Sequence, residues 1–595
     1  MFLMNKIYLI AIFTLLSSLF TSQSLAQYQV KSEYINNPEL LIDYVNDCAS
    51  FWERAHDDLY GGFFVEVGKT GNILNYNNKS LVSESRDAYG FARAFMLSGN
   101  TDYLDYSQSA LQFMYDHLWD DQYGGWYRRS NRLGGSPYTG KKTAFDQHYA
   151  LLGIMAYYEA TNSSADKQML DSGYDFIEDK FWDNNLDTFG YFDEVNRDGS
   201  SAVNKSFNAT VDAITTHLYN LYLITNDVKY KDRLLELENN IQNYFIPSMA
   251  DQEIGFAEVY NSNWITNTSE KRTIMGHVLK TGWCMARIYR INEDQNTLNA
   301  AKSFVQNVLD KGYDHKYGGP YKDYDRTNGE MYMYGAQDTA KAWWQMEQAV
   351  TAGFLLYEIA LQDKYLKMAD ESLDFFMKYF VDTVNGEIYA DRNRRGGKVP
   401  GWDENKGSEW KAAYHSIETA YYAYLYSKLL IKKETATLYY KFDIASEERI
   451  LNMNPLAIDF DKLKIDKVLL DGSDYVNYNS DDRTIRIPSG IGGVFAVSYK
   501  LTSSPYGIGE NNMKLANIYP NPSAGEVNIE FELPKTTYVD ISVYNIMGQK
   551  VEILTNGILN AGHNIIKWTN NKSNGMHYIV ILIDGKRSVS KVLIN

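Results

Sequence analysis

A turn built from an acidic residue, then glycine, then an aromatic side chain returns six times along the first two-thirds of the chain. It appears as HDDLYGGFF, DDQYGGWY, DTFGYFDE, DQEIGFAE, DHKYGGPY and VNGEIYAD, marked by Gly62, Gly125, Gly190, Gly255, Gly319 and Gly386 at intervals of 63 to 67 residues. Such a period is too long for the common short solenoid repeats and suits two helices joined by a long loop. The sequence between the turns agrees. TDYLDYSQSALQFMYDHLWD and DKYLKMADESLDFFMKYFVD carry apolar residues at helical spacing, whereas KTAFDQHYALLGIMAYYEAT and AWWQMEQAVTAGFLLYEIAL are apolar nearly all round. The first pattern belongs to a helix with one wet face, the second to a helix buried on both sides. Six such hairpins predict an all-α (α/α)6 barrel, with inner helices ringed by outer ones and aromatic-rich loops around a central cleft. An open solenoid is the alternative, and a count of six with complete-looking ends argues against it.

The texture changes after about residue 432. TATLYYKFDIA, KVLLDGSDYVNYN, TIRIPSG and GVFAVSYKL alternate and end in turn residues, which predicts a small β domain over 433–505. SSPYGIGENN supplies a linker, taken as 506–514. The last segment, 515–595, contains YPNPSAGEVNI, YNIMGQKV and a basic terminal strand, KRSVSKVLI. These motifs resemble the C-terminal sorting domain of the type IX secretion system, which implies export across an outer membrane. At the other end, Lys6, the apolar run Ile7 to Phe20 and Ser24-Leu25-Ala26 have the form of a secretory signal peptide over 1–26. The barrel is thereby assigned to 27–432. No later segment is apolar enough to span a bilayer. The net charge of -17, scattered along the chain, argues against nucleic acid and anionic membrane surfaces as partners. Two cysteines in a chain this long, Cys48 and Cys284, point to buried thiols rather than a disulfide framework.

Four of the nine histidines, His148, His217, His277 and His415, fall in or beside expected inner helices. Histidines from separate repeats would converge on the barrel axis. They are not at ligand spacing with acids or cysteines, so no metal cluster is expected, and no phosphate loop or other cofactor signal stands out.

KSFNATVDAITTHLYNLY, MGHVLKTGWCMA, KAWWQMEQAVTAGFL and EWKAAYHSIETAYY resemble the N-acylglucosamine 2-epimerase family, which includes cellobiose and mannose 2-epimerases. The likeness runs from about residue 35 to 430. It implies an (α/α)6 barrel that moves a proton at C2 of a reducing sugar through an enediol, without a cofactor. Carried over by motif, His277 and His415 would be the acid/base pair, His217 an assistant in ring opening, and Arg86 the group that binds the reacting oxygens. Trp344 and Trp410 would stack on sugar. Tyr89 and Glu347, three residues beyond Arg86 and Trp344, would lie near the site.

Two positions depart from the family pattern: Tyr219 of THLYN stands where many relatives have a second histidine, and Lys280 stands where a glutamate follows the histidine by three residues. A carboxylate there would accept the imidazole N–H and fix its tautomer, which an ammonium cannot do. Three readings follow. Glu258, Glu347 or Asp212 supplies the missing carboxylate; or Lys280 binds an anionic sugar; or the cleft cleaves or merely binds glycans. The expected function is therefore an exported sugar 2-epimerase or isomerase acting on a mono- or oligosaccharide. A hydrolase or lyase on an anionic glycan, or a non-catalytic glycan-binding protein, is the alternative.

Overall fold

The computed structural model describes residues 28–595 apart from 334–335, 338, 457, 459–461, 503–515, 534–535, 546–549, 571–573 and 584–585. The expected leader over 1–26 and the linker 506–514 lie outside the described residues. The chain divides into two compact units, one ending at Thr502 and one beginning at Ser503.

The first unit is built from six outer–inner helix pairs. The inner helices are Leu81–Ser98, Ala144–Thr161, Phe207–Thr225, Met275–Asn292, Trp343–Ala360 and Tyr414–Ile431. Each contacts the next, and the sixth contacts the first. The outer helices precede them: Leu40–Glu53, Asp102–His117, Ser164–Phe181, Val228–Ala250, Gln295–Lys311 and Asp363–Phe380. Burial follows the sequence pattern: Leu81–Leu97 is buried at every position, whereas Gln295–Lys311 buries one stripe. Cys48 and Cys284 are free thiols, both buried.

The glycine turns sit between each outer helix and its inner partner. They require left-handed backbone: φ is +66° at Gly62, +72° at Gly125 and +87° at Gly319. A Cβ on Gly125 would fall 2.3 Å from the Phe176 ring. A device not noticed in the sequence fastens these turns. The lysine shortly before the inner helix is buried and reaches back to a turn carbonyl: Lys79 to Gly61, Lys142 to Gly124, Lys205 to Gly190, Lys341 to Gly318 and Lys406 to Gly386. Each also pairs with the aspartate that opens the turn, Asp57, Asp120, Asp183, Asp314 or Asp382, at 3.0 to 3.5 Å. The fourth repeat differs: Thr273 takes the place, and its hydroxyl accepts the Phe256 N–H at 3.2 Å.

Successive repeats are stitched at the inner-helix N-termini. The first backbone N–H of each of the first five inner helices donates to the turn of the following repeat: Leu81 to Arg128, Ala144 to Asp193, Phe207 to Glu258, Met275 to Lys322, and Trp343 to Ala390. Gly407 and Val67 exchange backbone hydrogen bonds between the sixth repeat and the first. This brings six helix N-termini and six turns to one end of the unit.

The opposite end is covered by strands. Ala436–Phe442, Leu463–Leu470, Ser473–Asp474 and Gly493–Leu501 form one antiparallel sheet, and Arg449–Asn452, Tyr478–Asn479 and Thr484–Ile487 another. Ala436–Phe442 packs on the first two inner helices. Asn452 and Asn454 donate side-chain amides to the carbonyls of Ile224 and Leu223. Helix C-termini leave carbonyls unpaired, and these amides satisfy two of them. The β region over 436–501 thus belongs to the same compact unit as the helices. The second unit, described by itself, has a three-stranded and a four-stranded antiparallel sheet around Val527, Ile529, Phe531, Ile541, Trp568 and Ile579.

Candidate functional site

The first turns of the inner helices and the residues just before them enclose a cavity of about 650 Å³ at the stitched end. That is the size of a pocket for a small ligand. All six repeats contribute to its lining: Arg86; Phe145, Asp146 and Tyr149; Asn208 and Asp212; Arg272, His277 and Lys280; Trp343 and Trp344; and Trp410 and His415.

His277 lies on the third residue of its helix. Its ring stacks on Phe207, with centroids 3.8 Å apart and planes 15° apart. Its Nδ1 is 2.8 Å from a Glu258 carboxylate oxygen, and Glu258 also accepts the Ile274 N–H at 3.0 Å. Gly276 permits this arrangement, because a Cβ there would meet the Trp344 ring at 2.5 Å. The imidazole is therefore held by a carboxylate, but from the turn rather than from its own helix.

His415 is more deeply set, its side chain 5% exposed against 17% for His277. Its Nδ1 lies 3.4 Å from Glu347 without hydrogen-bond alignment. Burial, helped by the charges of Arg86, Lys280 and Lys411, holds its pKa well below the usual range, so the ring is neutral at pH 7. Beneath it, Glu347 accepts from Thr351 at 2.6 Å, and Glu418 accepts from Tyr89 at 2.8 Å. Burial raises both carboxyls, and their proximity raises Glu347 further, which favours one shared proton in the pair. Sequence spacing suggested no metal cluster. Tertiary packing nonetheless brings one ligand atom each from Glu347, His415 and Glu418 within 4.8 Å of one another.

Lys280 lines the cavity but is not free. Its Nζ is 2.6 Å from Asp212 and 3.4 Å from the Tyr149 hydroxyl. Burial opposes its charge, yet Asp212 outweighs burial and holds the ammonium well above its usual pKa. Arg86 donates to the Trp410 carbonyl and lies over the Tyr149 ring, 4.6 Å from its centroid. Trp344 stands 5.2 Å from the His277 ring and 6.4 Å from the His415 ring. Trp410 is 45% exposed and carries Arg128 over its ring at 5.2 Å.

Three expected site residues fall behind the wall. His217 is fully buried, bonded to the Thr216 hydroxyl and ring-stacked with His148, and burial depresses both imidazoles, His148 to about 4. It sits in a π-helical stretch, Ile214–Leu218, that rotates the helix face. Tyr89 and Glu347 are likewise buried beneath the lining, where they act on Glu418 and His415 rather than on the cavity. Sequence reasoning did not single out Phe145, Tyr149, Arg272 or Trp343 for the site. Their shared signal is position: each lies within the first turn or two of an inner helix or in the strand before it.

Six helical hairpins around one tryptophan-lined pocket make this a helical barrel-type protein. Residues 62–418 match the family model for N-acylglucosamine 2-epimerase, and residues 517–595 match that of a secretion system C-terminal sorting domain. The chain belongs to the N-acylglucosamine 2-epimerase family and carries that sorting domain. It is 21% identical over 388 residues to cellobiose 2-epimerase of Eubacterium cellulosolvens, covering 62% of this chain and 92% of the relative. It is 21% identical to D-mannose isomerase of Marinomonas mediterranea, covering 64% and 94%. Among solved structures, a D-mannose isomerase superposes with a TM-score of 0.59 at 20% identity, over 66% of this chain and 99% of the other. Cellobiose 2-epimerase from Bacillus thermoamylovorans superposes at 0.57 and 19% identity, over 66% and 100%.

Proposed function

We propose that this protein is an exported sugar 2-epimerase or isomerase, whose closed (α/α)6 barrel moves a proton at C2 of a reducing sugar through an enediol. The observation that carries this reading is the pair His277 and His415. They come from different repeats, line one cavity, and both lie near Trp344. His277 Nδ1 is bonded to Glu258 at 2.8 Å, and His415 lies 3.4 Å from the Glu347 carboxyl without bonding to it. One neutral imidazole takes the C2 proton of the open-chain aldose, and the C–H electrons form the C1=C2 bond as the C1=O π pair moves onto O1, which gives the enediolate and, once O1 is protonated, the enediol. Delivery of a proton to the opposite face of C2 by the other imidazole gives the epimer, and delivery to C1 gives the ketose. Arg86 offers its guanidinium to the oxygen charge of the intermediate. Glu258 takes the part of the glutamate that Lys280 displaced. We assign Trp344 and Trp410 to sugar stacking, and the N-terminal leader and sorting domain to type IX export.

The test is proton NMR in deuterated buffer with cellobiose, mannobiose, glucose, mannose and N-acetylglucosamine. Deuterium entering C2 of any of them supports the reading. Retention of a sugar without exchange, or new reducing ends, turns it toward a binding protein or a hydrolase.

A further inference from the structure

Formal charge in the cavity wall is mostly neutralised locally. Lys280 is held by Asp212 at 2.6 Å and Arg128 by Glu409 at 2.9 Å. Asp193 accepts the Ser206 hydroxyl, and burial raises its carboxyl; Asp146 is pushed up to about 6 the same way and accepts from Thr143. Two arginines of the wall, Arg86 and Arg272, have no carboxylate partner among the described residues, and of these Arg86 donates to the Trp410 carbonyl whereas the Arg272 guanidinium donates to nothing. Arg272 lines the cavity from the strand Arg272–Ile274, five residues before His277, on the opposite side of the ring from Arg86. Among the described residues its guanidinium has no carboxylate within 4.0 Å and no hydrogen-bond acceptor, and its Nε is buried without a partner. The nearby Glu270 carboxylate accepts the Arg272 backbone N–H at 2.7 Å and leaves the guanidinium unpaired. A partly buried guanidinium with an unused planar fork is matched in geometry by a carboxylate or a sulfate ester.

Resting on the sugar-isomerising reading of the same cavity, we infer that the substrate carries an anionic group, and that Arg272 receives it. The residue that the sequence suggested for this task, Lys280, is already committed to Asp212. Arg272 precedes the helix that carries His277, so the anion sits toward the mouth. It belongs to the far end of the reacting sugar or to the next unit of an oligosaccharide, away from C1 and C2.

The test measures binding separately from turnover. Quenching of tryptophan fluorescence in the full chain is titrated with matched pairs: cellobiose against its glucuronate-terminated counterpart, and against a 6-sulfated counterpart. C2 deuterium exchange is followed in parallel. An anionic member bound at least tenfold tighter than cellobiose, with the ratio falling to within about twofold in Arg272→Gln and partly returning in Arg272→Lys, is the expected result. Whether the uronate or the sulfate shows the preference identifies the anion. Equal binding of charged and neutral members, or a preference that survives in Arg272→Gln, overturns the inference. Anion-selective binding without any C2 exchange would sustain Arg272 as the receptor while removing the epimerase reading.

Discussion

The fourth and sixth repeats each place one histidine against the cavity, and they do so with opposite surroundings. His277 is partly exposed, stacked on Phe207 and bonded to Glu258 at 2.8 Å. His415 is nearly enclosed, near Arg86, Lys280 and Lys411, above two carboxyls that burial pushes up. A carboxylate in hydrogen-bond contact fixes a tautomer and stabilises an imidazolium, whereas burial among cations keeps a ring neutral. The difference gives unlike surroundings to two groups of the same type. The fourth repeat also lacks the buried lysine that fastens the other turns, with Thr273 in its place. Its turn is held to the helix through Glu258 instead, so the residue that secures the fold there also holds the histidine.

Removing either imidazole breaks the comparison most severely. His277→Asn and His415→Asn should each lower formation of the inverted product by about a thousandfold. Measuring exchange and inversion together sharpens it: a variant that still exchanges C2 deuterium but yields no epimer identifies the lost group as the one that delivers the proton. Equal, small losses in both variants would refute the pairing.

The ion pair behind His277 comes next. Lys280→Met leaves Asp212 buried and unpaired and should cost about 3–5 kcal/mol of stability. Most of that should return in the double variant with Asp212→Asn, as read by denaturant unfolding. A single variant as stable as the parent would show that Lys280 is not anchored to the third repeat.

Glu258→Gln should reduce kcat by roughly tenfold to a hundredfold with KM nearly unchanged, since an amide can occupy the same position without stabilising imidazolium. Glu347→Gln should do less, because that carboxyl is already inclined to hold a proton. A reversed order would mean that His415, not His277, depends on its acid.

Much of the architecture was legible in the chain. The sixty-odd-residue period, the alternation of one-faced and fully buried helices, and the glycine turns depend on spacing within a few residues, which sequence displays directly. The π-helical stretch at Ile214–Leu218 was not legible, and it helps to explain why His217 was expected at the site but lies behind it. Nor could apolar patterning tell that Trp343 and Trp344 both face the cavity, since a helix buried on all sides has no polar face to mark the axis.

What the sequence determined by itself is the number of repeats, the class of each helix and the placing of four histidines in or beside inner helices. What the tertiary structure alone decided is which charge meets which. Glu258 reaches His277 across 19 residues, while Lys280 and Asp212, like His415 and Glu347, are 68 residues apart. Helical periodicity relates a residue to neighbours three or four away, so it could show that Lys280 follows His277 by one turn but not that its charge is spent on the neighbouring helix. Only closing the repeats against one another sets those distances, and in a buried wall a few ångströms decide whether a charge is paired or left for a ligand.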